Sequence, residues 1–191
     1  MNRRKAISRI AVIGLGAAVT GAAYKWWSLA RTPDLGYLRQ NTLLLAALSE
    51  TIIPSGDTPG ANEAKCATFI IRMVADCTPR KEQNTFISGL QDVQAHCRHA
   101  FGKPFEACSP ADQTAALTRF QEKGRPYQGL AGKVESRLTG RSFFTILKDY
   151  TIYGYCTSEP GATKGLAYLY IPGSYNGCTS LQPGQKSWAT S

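Results

Sequence analysis

Phe143-Phe144-Thr145-Ile146-Leu147-Lys148-Asp149-Tyr150-Thr151-Ile152-Tyr153-Gly154-Tyr155-Cys156 places eight large apolar or aromatic side chains in fourteen consecutive positions. On a helix, where each residue turns about 100° from the last, Phe143, Phe144, Ile146, Leu147, Tyr150, Ile152, Tyr153 and Tyr155 reach nearly every face. Such a helix either runs through the centre of a core or shares one side with a partner, and the pattern favours a mixture of both. The fold is decided by what surrounds it.

Upstream, the apolar spacing is helical from Asp34 onward. Leu38, Leu45, Leu48 and Ile52 recur at helical intervals until Pro54, and Ala67, Ile70, Ile71 and Val74 follow the i, i+3, i+4, i+7 pattern. Thr78-Pro79 then reads as a cap followed by a first-turn proline, with Glu82 in the first turn and Phe86, Leu90, Val93 and Cys97 down one side to a stop near Gly102. Ser109-Pro110-Ala111-Asp112 repeats the start signal ahead of Ala116, Leu117 and Phe120. Residues 123–141, with five glycines or prolines from Gly124 to Gly140, read as a loop holding at most one helical turn and as the segment expected to move most. Beyond the aromatic helix, residues 158–191 carry five Gly, three Pro, Tyr168, Tyr170, Tyr175 and Trp188, a composition that becomes ordered by lying on something. Strand patterns are scarce. The expected fold is all-α: a compact helical domain over 34–191 with an N-terminal signal helix and an extended Gly/Pro/Tyr-rich C-terminal arm.

The 191 residues carry 22 Lys and Arg against 13 Asp and Glu, a formal charge of +9. Arg3, Arg4, Lys5 and Arg9 fall in the first 23 positions with no acid among them, so the excess on the remainder drops to +5. The other basic residues alternate with acids and form no stripe interleaved with aromatics, which argues against a nucleic-acid partner. Residues 1–23 instead read as an export signal or anchor. The adjacent Arg3 and Arg4 precede a weakly apolar run from Ile10 to Ala23, as in the twin-arginine route, and Trp26 and Trp27 beyond it would suit a membrane interface. Gly14-Leu15-Gly16 imitates a dinucleotide turn, but Val19 stands at the third glycine position and no alternating strand and helix pattern follows.

Six cysteines, Cys66, Cys77, Cys97, Cys108, Cys156 and Cys178, behind an export signal imply an oxidising destination and up to three disulfides among fifteen possible pairings. No C-x-x-C and no C-x-x-C-H occurs, which removes redox-exchange, zinc-ribbon and covalent haem readings. His96-Cys97-Arg98-His99 is the most concentrated set of metal-ligand types, yet Arg98 and Lys103 disfavour a dication, and a solvated helix end explains it. No G-x-S-x-G elbow occurs. Asp149 and Glu159, ten residues apart across a helix end, have no geometric reason to meet. The sequence offers no catalytic constellation, and the expectation is a subunit without cofactor or metal of its own.

Several segments taken together resemble a known family. They are Leu44-Leu45-Ala46-Ala47-Leu48-Ser49-Glu50-Thr51-Ile52-Ile53-Pro54 with Asp57-Thr58-Pro59-Gly60-Ala61; Met73-Val74-Ala75-Asp76-Cys77-Thr78-Pro79; Cys108-Ser109-Pro110-Ala111-Asp112-Gln113; and Phe143-Phe144-Thr145-Ile146-Leu147-Lys148 running into Gly154-Tyr155-Cys156-Thr157-Ser158-Glu159, Gly161-Ala162-Thr163 and Ile171-Pro172-Gly173-Ser174-Tyr175-Asn176-Gly177-Cys178. In this order they are similar to the small subunit (subunit 3, or gamma) of gluconate 2-dehydrogenase and related flavin-dependent sugar dehydrogenases. The chain departs from that pattern at Cys156, where an aromatic residue is more usual, and Cys66 and Cys97 are additions.

The resemblance implies a periplasmic, membrane-associated partner role. A large subunit carries FAD and oxidises a sugar, sugar acid or glycoside, and a cytochrome c subunit often takes the electrons. The small subunit helps the large one mature and leave the cell interior on its own signal, so Arg3 and Arg4 would serve two chains at the twin-arginine translocase. The implied contact with the flavin subunit is Phe143, Phe144, Tyr150 and Tyr153 together with the arm from Thr157 through Ser158, Glu159 and Tyr175 to Cys178. Two other classes compete: a stand-alone secreted enzyme using His96 and His99, and a disulfide-stapled binding module at the membrane surface.

Overall fold

The computed structural model describes residues 31–125, 140–171, 173, 178, 180 and 183–189. Helix α1 (Leu35–Gln40) starts on the Asp34 carboxylate, which accepts the Tyr37 amide at 3.2 Å. The periodicity predicts one helix from Leu38 to Ile52, but the chain breaks it at Asn41. There the Asn41 side-chain amide donates to the Tyr37 carbonyl at 2.8 Å and the Thr42 hydroxyl to the Arg39 carbonyl at 2.8 Å, so both consume helix-end acceptors locally. Helix α2 (Thr42–Ile52) then buries Leu44, Leu45, Leu48 and Ser49.

The loop after α2 closes on Glu50. Its carboxylate accepts the amides of Ser55 at 2.9 Å and Asn62 at 2.8 Å, and so ties both ends of the Pro54–Ala61 excursion to α2. Helix α3 (Cys66–Cys77) follows, burying Cys66, Ala67, Ile70 and Val74. Thr78-Pro79 does not act as the sequence predicts: α4 (Arg80–Phe101) has no side-chain cap, and Thr78 faces backward. Its hydroxyl lies 2.8 Å from the Met73 carbonyl, while the buried Gln83 amide donates to the carbonyls of Val74 at 2.8 Å and Ala75 at 3.0 Å. Three carbonyls in the last turns of α3 thus take side-chain donors from the residues that follow.

Helix α4 ends at Gly102 as expected, and a single 3₁₀ turn (Phe105–Ala107) leads into α5 (Pro110–Lys123). The Ser109 cap is as read from the sequence, with the Asp112 amide donating to Ser109 Oγ at 3.2 Å. Helix α6 (Phe143–Thr157) is the aromatic stretch, capped by Ser142 and packed against α2, α3, α4 and α5, so it is the central helix. Its inner face joins a core of Leu38, Leu45, Ile70, Phe86, Leu90, Phe105 and Ile146, all without solvent exposure. Phe143 stacks against Phe86 at 5.4 Å and edge-on to Phe120 at 6.1 Å. Close to α6, Gly161–Gly165 forms a π turn, and Leu166 just after it is extended. Ala167 bridges to the 187–189 stretch, donating to the Ser187 carbonyl and accepting from the Ala189 amide, each at 2.8 Å. Among the described residues the fold is all-helical and compact, with no strand beyond this bridge.

Candidate partner-binding surface

Helix α6 divides its apolar residues by angle. Phe143, Ile146, Leu147, Tyr150, Thr151, Gly154 and Tyr155 turn inward, spaced three and four apart, while Lys148, Ile152, Tyr153 and Thr157 turn outward. Tyr153 is 56% exposed and Ile152 is 39% exposed. The proposed interface residues therefore fall into different environments. Phe143 and Tyr150 belong to the core and Phe144 is half-buried, which removes Phe143 and Tyr150 from any surface in this fold. Tyr153, Thr157 and Glu159 are exposed. Ser158 is engaged locally, donating to the Tyr155 carbonyl at 2.7 Å and accepting the Gly161 amide at 3.1 Å. Tyr175, like Arg3, Arg4 and the rest of the signal, lies outside the described residues.

The segment after the π turn extends the apolar exposure. Tyr168, Leu169, Tyr170 and Ile171 are all exposed, Tyr170 at 82%, and Trp188 beside the Ala167 bridge is exposed as well. Unbroken apolar exposure over four successive residues is unusual for a surface with no partner.

Tyr150 is held inside by a polar network. Its hydroxyl lies 2.8 Å from Thr78 Oγ1 and accepts from Arg141 Nη2 at 3.1 Å. The Arg141 guanidinium also donates twice to Glu82 Oε2, at 2.9 and 3.0 Å, and reaches Asp149 at 3.4 Å. The hydrogen bonds to Glu82, ahead of the opposing cost of burial, hold the Arg141 guanidinium above its ordinary pKa. Asp149 thus pairs with Arg141, and Glu159 stands apart in solvent. A cleft of about 180 Å³ between the end of α5 and the start of α6, lined by Arg125, Ser142, Phe144, Lys148 and Asp149 among others, is smaller than ordinary ligand sites.

The six cysteines are all thiols in the structure. Cys97 and Cys108 share the main core, Cys66 and Cys156 meet at a second cluster with Ala61, Ala64 and Tyr155, and Cys77 and Cys178 are exposed. Burial, then Glu50 and Cys156, push the Cys66 thiol up to about 11. His96 packs edge-on against Phe101 and Phe120, each at 6.1 Å, while His99 faces solvent. Among the described residues no group of three His, Cys, Asp or Glu side chains could hold a metal ion.

Burial, then Arg119 and His99, lower the pKa of His96. The neutral ring is therefore favoured in the fold, whereas the unfolded chain takes up a proton near its ordinary value of about 6.5. No penalty exists above that pH, and one grows as the pH falls from it toward the lowered folded value. The melting temperature should fall between about pH 7.5 and about pH 5.5, and by less in His96→Gln, as thermal melts at the two values would show.

The family profile described as Gluconate 2-dehydrogenase subunit 3 matches residues 39–173. The chain belongs to that family. No curated protein matches the chain, and no solved structure does. The match spans α2 to α6 and ends within the exposed stretch that follows the π turn, so it includes both the central helix and its outward tyrosine.

Proposed function

We propose that this member of the gluconate 2-dehydrogenase subunit 3 family is the non-catalytic small subunit of a periplasmic, membrane-associated, FAD-dependent sugar or sugar-acid dehydrogenase. In this reading it escorts the flavin-bearing subunit through maturation and twin-arginine export. The observation that carries it is the exposed apolar surface of Ile152, Tyr153 and residues 168–171 on a chain of this family. The partner in this reading holds FAD and performs the oxidation, and a cytochrome c subunit receives the electrons. Among the described residues no helix is long and apolar enough to cross a membrane. Membrane association then falls to the N-terminal segment or to the partners. Twin-arginine export moves folded proteins, which suits a flavoprotein loaded before it crosses: Arg3 and Arg4 would supply the signal for both chains.

The chain carrying a C-terminal tag, purified from its native host, should bring down a larger flavin-bearing chain in stoichiometric amount. Tyr153→Asp should weaken that association by about tenfold or more while leaving helix content and melting temperature near wild type, because the side chain touches solvent rather than core. Recovery of a lone chain without a flavin spectrum would sink the reading. An intact complex in Tyr153→Asp would move the contact away from the outer face of α6.

A further inference from the structure

Cys97 and Cys108 stand eleven residues apart on either side of the turn between α4 and α5, and both are buried in the main core. That turn is fastened to the face of α4 that carries Cys97. Gln94, one helical turn before Cys97, accepts the Phe105 amide at 3.2 Å and donates to Glu106 at 2.8 Å, while the Gln113 amide donates to the Phe105 carbonyl at 3.0 Å. The fastening holds Cys108 on the α4 face that carries Cys97, with both side chains in the same buried cluster. The Cys108 thiol points to the Pro104 carbonyl at 3.3 Å. The remaining cysteines are elsewhere: Cys66 and Cys156 in the second cluster, Cys77 and Cys178 at the surface.

We propose that Cys97 and Cys108 are the two ends of a disulfide that staples the α4–α5 turn once the chain meets a disulfide donor. Of the fifteen pairings open to six cysteines, the shared burial and the tethered turn favour the three that contain this one. The oxidant is a disulfide-bearing thiol oxidoreductase or glutathione disulfide. The Cys108 thiolate attacks one donor sulfur and expels a thiolate. Deprotonated Cys97 then attacks the Cys108 sulfur of the mixed disulfide and expels the second, so two protons and two electrons leave the chain and the donor's two sulfurs end as thiols.

Order matters in this sequence. Cys97 has no solvent exposure, and burial first, then Cys108, pushes its thiol up to about 12, so the second attack needs the turn to stand off the core and admit water. The bond therefore forms through local opening of residues 102–109, a short excursion that leaves the rest of the core intact. A chain that crosses the membrane already folded would acquire it slowly, and one that folds among donors would acquire it quickly.

The test uses the full chain recovered from the periplasm, unfolded in an alkylating agent without reductant and cut with trypsin. Cleavage after Lys81, Arg98 and Arg119, with Lys103 protected by Pro104, leaves Cys97 in peptide 82–98 and Cys108 in peptide 99–119. The expected result is that these two peptides travel joined, two hydrogen masses below their sum, and separate on reduction. Alkylation of both cysteines, or linkage of either to Cys66, Cys77, Cys156 or Cys178, overturns the pairing. Flavoprotein in the same fraction is scored separately, so loss of the partner and loss of the disulfide are distinguishable outcomes.

Discussion

Gly89→Ala should destabilise the chain by about 2–3 kcal/mol, lowering the melting temperature by roughly 5–10 °C, although it adds one methyl group to a helix and improves helix propensity. Gly89 sits inside α4 where α6 begins, and a β-carbon there would collide with Cβ, Cγ and Cδ2 of Phe143. These are the root and near edge of the ring, so Phe143 cannot evade the methyl by swinging its far end. Its only release is to move the start of α6, which disturbs the ring's contacts with Phe86 and Phe120 at once. The propensity gain of about 1 kcal/mol is therefore outweighed. A double-mutant cycle with Phe143→Ala separates the terms. Phe143→Ala alone opens a cavity in the core, whereas Gly89→Ala added to it restores some of the lost volume, so the two changes should couple favourably by more than about 1 kcal/mol. Additive effects would mean that α4 and α6 do not meet at this pair.

Much of this architecture is legible in the sequence where a local rule acts on adjacent residues. Ser109-Pro110 starts α5 because the cap and the proline need only their own turn, and the buried stripes of α3 and α4 follow from spacing alone. The reading fails where a distant partner competes. Thr78 has the sequence context of a cap for α4, yet its hydroxyl is taken by Met73 and by Tyr150, which is 72 residues away. Gln83 looks like a solvent residue of a first turn, and its burial follows from unsatisfied carbonyls at the end of α3 that no local pattern reveals. The same limit governs the candidate site. Tyr150 and Tyr153 are identical in type and three residues apart, so composition makes both interface candidates. The helix angle set by the packing of Phe143, Ile146 and Leu147 puts Tyr150 inward, where its hydroxyl meets Thr78 and Arg141, and leaves Tyr153 outside.

Arg141→Met should cost about 2–3 kcal/mol, more than an exposed ion pair would, because it leaves a nearly buried carboxylate without its cation. The Glu82 side chain is only 14% exposed, against 38% for Arg141, so the residue left behind is the one that water reaches least. The backbone supports the pair: Gly140 takes φ 75, a conformation a side chain resists, and the following Arg141 amide donates to Glu82 Oε1 at 3.1 Å. The guanidinium therefore fixes where the chain enters α6, and through Tyr150 it fixes the helix's rotation. Replacing both members, Glu82→Gln with Arg141→Met, removes the stranded charge and should recover roughly 1–2 kcal/mol of the loss in denaturant melts. The pair also bears on the surface. A helix released from Arg141 can rotate its tyrosines, so Arg141→Met should weaken capture of the proposed flavin-bearing partner even though Arg141 is not on the outer face of α6. If the single variant were as stable as wild type, the network would be a solvated ion pair, and the orientation of Tyr153 would rest on apolar packing alone.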